Sequence, residues 1–162
     1  QTLRHVFLGG EAIDMMKLGD WCQAEHCNAQ IVNTYGPTEC SDVVSYFRID
    51  IPEDYRDKAV PIGRPNDNNQ LFILDRALNI VPIGIVGEVC ITGACVGQGY
   101  LNNPLLTDEV FIDAPFSTPE NSYDKFYRTG DLARYNSDGD IEYVGRIDFQ
   151  VKIGRASCRE RV

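Results

Sequence analysis

Residues 3–10 read LRHVFLGG, a short apolar run that stops at two glycines, and Ala12, Met15, Leu18 and Cys22 follow it at helical steps. This is the pattern of a strand, a turn and an amphipathic helix. Ile31, Val32 and Asn33 form the next buried run, so the first third of the chain has the strand, helix, strand order of a parallel α/β unit. Sheets of that kind bind ligands beyond the carboxyl ends of their strands. The two ends here carry LGGEA (8–12) and NTYGPTE (33–39).

Beyond Val43 the texture changes. The runs VVSYF (43–47), QLFILD (70–75), EVCITG (88–93) and IEYVG (141–145) are β-rich and separated by Gly, Pro and Asn clusters, with a short helical candidate at 107–111. Asn136-Ser137-Asp138-Gly139 supplies turn chemistry between two such runs and predicts a hairpin. The expected architecture is α/β, a parallel α/β portion followed by a β-rich subdomain. The final IGRASCRERV (153–162) carries three Arg and no apolar periodicity. It matches the translation of a common sequencing adapter, so residues 1–152 are expected to be domain and 153–162 a non-native tail.

The 162 residues, 43% hydrophobic and 10% aromatic, suffice for one globular core. Against 24 Asp and Glu stand 15 Lys and Arg, and the net charge of −9 opposes a phosphate backbone. No nucleic-acid partner is expected. No apolar run approaches the roughly 20 residues that span a bilayer, and QTLRHVFLGG lacks a signal-peptide stretch. No membrane partner is expected either, and the predicted location is cytoplasmic. The six cysteines come without any N-x-S/T sequon, which favours reduced thiols. Cys22, His26 and Cys27 raise the question of zinc, but there is no CxxC pair and the other histidine is His5, so buried or surface thiols are the preferred reading.

Four motifs can carry chemistry. In NTYGPTE, Gly36-Pro37 forces a bend at the end of a strand. Tyr35 offers a ring to a purine, Thr38 a hydroxyl to a phosphate oxygen, and Glu39 a hard oxygen of the kind Mg²⁺ takes beside phosphates. The same string also suits an ordinary Gly-Pro turn with a solvated carboxylate. GEVCITGACVGQGYLN (87–102) is glycine-rich, but Asn102 stands where a dinucleotide fingerprint needs its third glycine, so a strand followed by a bulge or close backbone approach fits better. YRTGDL (127–132) sets Asp131 after a glycine at the end of a short run, able to accept two ribose hydroxyls or to serve as a turn residue. YVGRIDFQVK (143–152) puts Arg146 and Asp148 on one face if extended, as a site pair or a surface ion pair.

Taken in order, LGGEA, NTYGPTE, IGRP (62–65), GEVCITG, GQGYLN, YRTGDL and GRIDFQVK resemble the core motifs of the adenylate-forming (AMP-binding) superfamily, from Leu3 to Lys152. LRHVFLGGEA, IGRP followed by QLFILD, and YLNNPLLTDEVF (100–111) are most similar to its amino-acid-activating branch, the adenylation domains of nonribosomal peptide synthetases. The resemblance implies the later part of a large lobe, ending at a hinge to a small mobile lobe. It implies an ATP-dependent ligase with ATP and Mg²⁺ as cofactors, whose product is captured by phosphopantetheine on a carrier protein. The implied partners are an amino-acid substrate and the carrier-protein and condensation domains of a multidomain synthetase.

By the same resemblance, Asn33 and Tyr35 hold adenine, Gly36 also binds the nucleotide, Thr38 holds the phosphate and Glu39 the Mg²⁺, while Asp131 takes the ribose hydroxyls. Tyr143 lies beside the nucleotide, and Arg146 contacts ribose or phosphate. Thr38, Glu39 and Arg146 are the implied catalytic residues and Asp148 the hinge. Phe7, Gly9, Thr34, Asp42 and Val43 line the substrate pocket, where a carboxylate at Asp42 favours a cationic or hydrogen-bonding side chain. The family's upstream phosphate loop and its small-lobe lysine are missing, so the chain alone is expected to be inactive. A carboxylic-acid:CoA ligase and a noncatalytic nucleotide-binding remnant are the alternatives.

Overall fold

In the computed structural model, which describes residues 3–24, 28–116, 124–147, 150–153 and 156–159, strand β1 (His5–Gly9) runs into Gly10 at φ 85°. Helix α1 (Met15–Cys22) begins where Asp14 accepts the Met16 N–H at 3.0 Å. That cap leaves Ala12 outside the helix although its spacing is helical. Strand β2 (Gln30–Tyr35) lies parallel to β1, with Val6 opposite Ile31 and Gly9 opposite Thr34, as the strand, helix, strand reading expects. The strand ends approach closely. A Cβ on Gly9 would lie 2.4 Å from Thr34 Oγ1, the same hydroxyl that donates to Leu8 O at 3.0 Å.

The sheet continues antiparallel through β3 (Ser45–Ile49) and β4 (Arg64–Pro65), in the order β1-β2-β3-β4. Helix α1 covers one face: Met15, Ile31, Ile49 and Val60 form a buried cluster, with Leu8, Leu18 and Phe47 against it. On the other face Phe7 is 67% and Tyr46 48% exposed, while Val32 between their strands is buried.

The β-rich portion contains β5 (Asn69–Leu74), β6 (Gly87–Gly93), α2 (Pro104–Val110), β7 (Phe111–Asp113), β8 (Lys125–Tyr135) and β9 (Ile141–Arg146). Its sheet order is β5-β6-β8-β7, and β9 also pairs with β8. Asn103 accepts the Leu106 N–H at 3.3 Å and Pro104 occupies the first turn, so α2 starts before the expected Thr107 and yields to β7 at Phe111. The β8–β9 hairpin turns through Gly139 at φ 82°, and Asn136 Oδ1 accepts the N–H groups of Asp138 at 3.0 Å and Asp140 at 2.9 Å.

Segment 60–63 joins the two sheets. Ile62 N–H donates to Ile141 O at 2.8 Å, Ile141 N–H donates to Gly63 O at 3.0 Å, and Ser45 Oγ donates to Ile62 O at 2.9 Å. The shared core holds Val44, Ile62, Leu71, Ile73, Val89, Ile91 and Ile141. Strands β10 (Gln150–Ile153) and β11 (Ala156–Arg159), which take in part of the expected tail, pair only with each other among the described residues. No helix among the described residues is long and apolar enough to cross a membrane. Cys40, Cys90 and Cys95 are free thiols, whereas His26 and Cys27 lie outside the described residues.

Phe126 is 0% exposed, stacked on Phe72 and edge-on to Phe116, both at 5.4 Å between centroids. Phe126→Ala is expected to cost about 3–5 kcal/mol in urea denaturation, while Phe7→Ala at an exposed position changes stability by about 0.5 kcal/mol or less. Equal losses at the two positions would contradict this assignment of the core.

Candidate nucleotide site

Between Glu88 opposite Leu132 and Cys90 opposite Arg128 the β6–β8 register slips, so Thr129, Gly130 and Asp131 face Val89 alone. Side chains satisfy this bulge. Thr129 Oγ1 donates to Val89 O at 2.8 Å and accepts the Asp131 N–H at 3.0 Å. Glu88 Oε1 accepts the Gly130 N–H at 3.1 Å, while Arg128 Nη2 holds Glu88 Oε2 at 2.7 Å. Asp131 therefore sits within an 11-residue strand, not at the end of a short run. Gly130, at φ 70°, marks a bulge in that strand and not its end.

The bulge aims Asp131 at the tip of β2. Tyr35 donates its hydroxyl to Asp131 Oδ2 at 2.6 Å, and Arg146 Nη1 donates to Asp131 Oδ1 at 2.8 Å and to Thr129 O at 3.2 Å. Arg146 lies directly across the β8–β9 pair from Asp131. Tyr35 is half-buried as a residue, and its hydroxyl end is enclosed. Burial first, and then the Asp131 charge, push its ionisation well above the ordinary tyrosine value. Tyr143 and Tyr35 pack against the same apolar cluster.

A second cluster forms along the same strand. Beyond Tyr35 the chain folds back so tightly that a Cβ on Gly36 would lie 1.8 Å from Asp42 O, and Val44 N–H donates to Tyr35 O at 2.8 Å. Inside this bend Thr38–Cys40 makes one 3-10 turn. Glu39 Oε1 accepts the Tyr100 hydroxyl at 2.6 Å, and the Tyr127 phenol lies beside this pair. Burial, together with that pair, raises the ionisation of Tyr127. Tyr100 and Tyr127 are site residues that the sequence reading misses. Both stand in the quoted motifs GQGYLN and YRTGDL, but a phenol inside a β-rich run reads as core unless a carboxylate partner is sought for it.

The remaining candidates are spread more widely. Thr38 is exposed on the turn beside Glu39. Asn33 is 4% exposed, and its side chain donates to Pro61 O at 2.7 Å, which fastens β2 to segment 60–63. Phe7, Gly9 and Thr34 share one face of the first sheet, and strand alternation turns that face away from Tyr35. Asp42, at φ 81°, and Val43 are exposed on the returning loop. Asp148 lies outside the described residues.

A family model for AMP-binding enzymes matches residues 1–101. One component of the mycosubtilin synthase of Bacillus subtilis is 48% identical over 154 residues, covering 94% of this chain and 6% of that protein. A solved structure of an NRPS protein containing adenylation and PCP domains aligns with a TM-score of 0.84 at 28% identity, over 96% of this chain and 30% of its own. An artificially fused adenylation-PCP di-domain NRPS from Klebsiella oxytoca aligns with a TM-score of 0.80 at 32% identity, over 93% of this chain and 29% of its own. The chain thus spans a small part of the relatives it matches.

Tyr35→Phe leaves Asp131 one donor short and is expected to cost about 1–3 kcal/mol at neutral pH. The enclosed phenol also shapes the alkaline limb. The unfolded chain releases this proton near the ordinary tyrosine value of 10.0 while the folded chain keeps it, so the stabilisation is complete below that pH and is lost above it. The rate of loss is up to about 1.4 kcal/mol per pH unit. Denaturation between about pH 9.5 and 11.5 should therefore show a shallower decline for Tyr35→Phe than for the unaltered chain. Identical slopes would place the hydroxyl in solvent.

Proposed function

This chain belongs to the AMP-binding enzyme family as a fragment of a nonribosomal-peptide-synthetase adenylation domain, and from that premise we propose that it supplies the ATP-gripping edge of an amino-acid-activating enzyme. The observation that carries the reading is the convergence of Tyr35, Asp131 and Arg146, drawn from three separate strands, on one carboxylate. In the proposed reaction an amino-acid carboxylate attacks the α-phosphorus of ATP and pyrophosphate leaves. Phosphopantetheine on a carrier protein then takes the aminoacyl group. Cytoplasmic carrier-protein and condensation domains of one synthetase are the proposed partners.

Each residue has a part in positioning. Asp131, oriented by Tyr35 and Arg146, accepts the two ribose hydroxyls; the Tyr35 ring stacks on adenine beside Gly36 and Tyr143. Arg146 reaches ribose or phosphate, and Thr38 offers its exposed hydroxyl to phosphate. Glu39 is a hard oxygen donor held in place by Tyr100. No group of three His, Cys, Asp or Glu among the described residues gathers as a metal cage. A single carboxylate completed by phosphate and water oxygens is how Mg²⁺ is commonly held, and such an ion would neutralise phosphate charge. Phe7, Gly9, Thr34, Asp42 and Val43 border the amino-acid side chain, and Asp148 is assigned to the hinge.

In the intact parent enzyme, labelled pyrophosphate is expected to exchange into ATP only when one particular amino acid is supplied. Asp131→Ala removes two charged hydrogen bonds worth about 1.5–3 kcal/mol each, which raises KM for ATP by about 10²- to 10⁴-fold. Exchange that ignores every amino acid but proceeds with a fatty acid, followed by transfer to CoA, would reassign the enzyme to the CoA ligases.

A further inference from the structure

Cys40 closes the 3-10 turn that carries Glu39 and is 0% exposed, and Cys95 lies in the loop that follows β6, partly exposed. Two hydrogen bonds clamp these segments together on either side of the thiols. Gly97 N–H donates to Glu39 O at 2.9 Å, and Ser41 Oγ donates to Cys95 O at 3.2 Å. Cys95 is further fixed where its N–H donates to Asn69 Oδ1 at 3.1 Å. Between the clamps Cys95 packs against the buried cluster to which Cys40 belongs. A disulfide needs Cα atoms about 4.4–6.8 Å apart, a separation within reach of segments already joined on both flanks.

We propose that Cys40 and Cys95 form a redox-active dithiol, an oxidative modification site that a low-molecular-weight disulfide such as glutathione disulfide converts to a Cys40–Cys95 bond. The two thiols divide the work. Cys40 is 0% exposed, and Cys95 is the one that solvent reaches and an external disulfide meets first. The Cys95 thiolate attacks one glutathione sulfur, the S–S bond breaks, and glutathione thiolate leaves. Cys40 then gives up its proton to that thiolate and attacks the Cys95 sulfur of the mixed disulfide, releasing the second glutathione. Two protein thiols are oxidised as one external disulfide is reduced to two thiols. Cys90 does not compete, because it is 0% exposed and burial pushes it up to about 12.

The bond fixes the turn carrying Glu39 to the loop carrying Gly97. Any effect on cation binding rests on the function proposed above, but formation of the bond does not. The test uses the chain itself, incubated with glutathione disulfide at neutral pH, alkylated without reduction and peptide-mapped. A linked Cys40–Cys95 peptide pair should dominate, disappear on reduction, and lose its preference over other pairings when oxidation is carried out in urea. Cys40→Ser should stop at a glutathione adduct on Cys95, and Cys95→Ser should leave Cys40 unmodified. The proposal is overturned if Cys40 and Cys95 stay alkylatable while other cysteines react, or if their pairing is no commoner than in the unfolded chain.

Discussion

The carboxylate of Asp131 is gripped from two sides, by the Tyr35 hydroxyl and the Arg146 guanidinium, and the geometry of the site follows from that grip. Tyr35 and Asp131 are 96 residues apart in sequence, so their bond closes the first sheet onto the second. A partly buried carboxylate is costly without partners. The pairing with Arg146, at side-chain exposures of 21% and 12%, satisfies the charge while leaving an edge toward the β2 tip. The bulge at Gly130 makes this possible, because a regular strand would hold Asp131 in the plain alternation of β8. Thr129 and Glu88 take up the backbone groups that the bulge releases.

The tip of β2 divides the neighbourhood into two chemistries. Tyr35 faces the polar groups of β8 and β9, while Thr34, one residue earlier, faces the side shared by Phe7 and Gly9. Such a division suits a reaction in which a nucleotide and a second reactant meet across one strand end. It also explains the two glycines at this edge: Gly9 permits the close approach to Thr34, and Gly36 lets the chain turn back against Asp42. The face on which Phe7 and Tyr46 stand exposed belongs to a chain that covers only 30% of the solved adenylation-PCP protein to which it is similar.

Much of this is legible in the residues. The β1–α1–β2 unit announces itself through an apolar run, a glycine pair and helical spacing, and the β8–β9 hairpin through Asn136 and Gly139. The helix starts are less legible, because Asp14 and Asn103 set them by capping and apolar spacing does not register caps. The course of β8 through Gly130 is hidden for a related reason: a glycine that permits a bulge looks locally like one that ends a strand. The bond from the Asn33 amide to Pro61, a partner 28 residues away, is likewise invisible to local pattern. The roles of Tyr100 and Tyr127 depend on Glu39 reaching them across the fold, a long-range contact that local pattern does not encode.

The most direct measurement is a crystal structure of the intact parent module with a bound adenosine nucleotide. Both ribose hydroxyls should lie within hydrogen-bonding distance of Asp131, with the adenine against Tyr35. A ribose held elsewhere, with the Tyr35–Asp131–Arg146 cluster unchanged and empty, would contradict the nucleotide site.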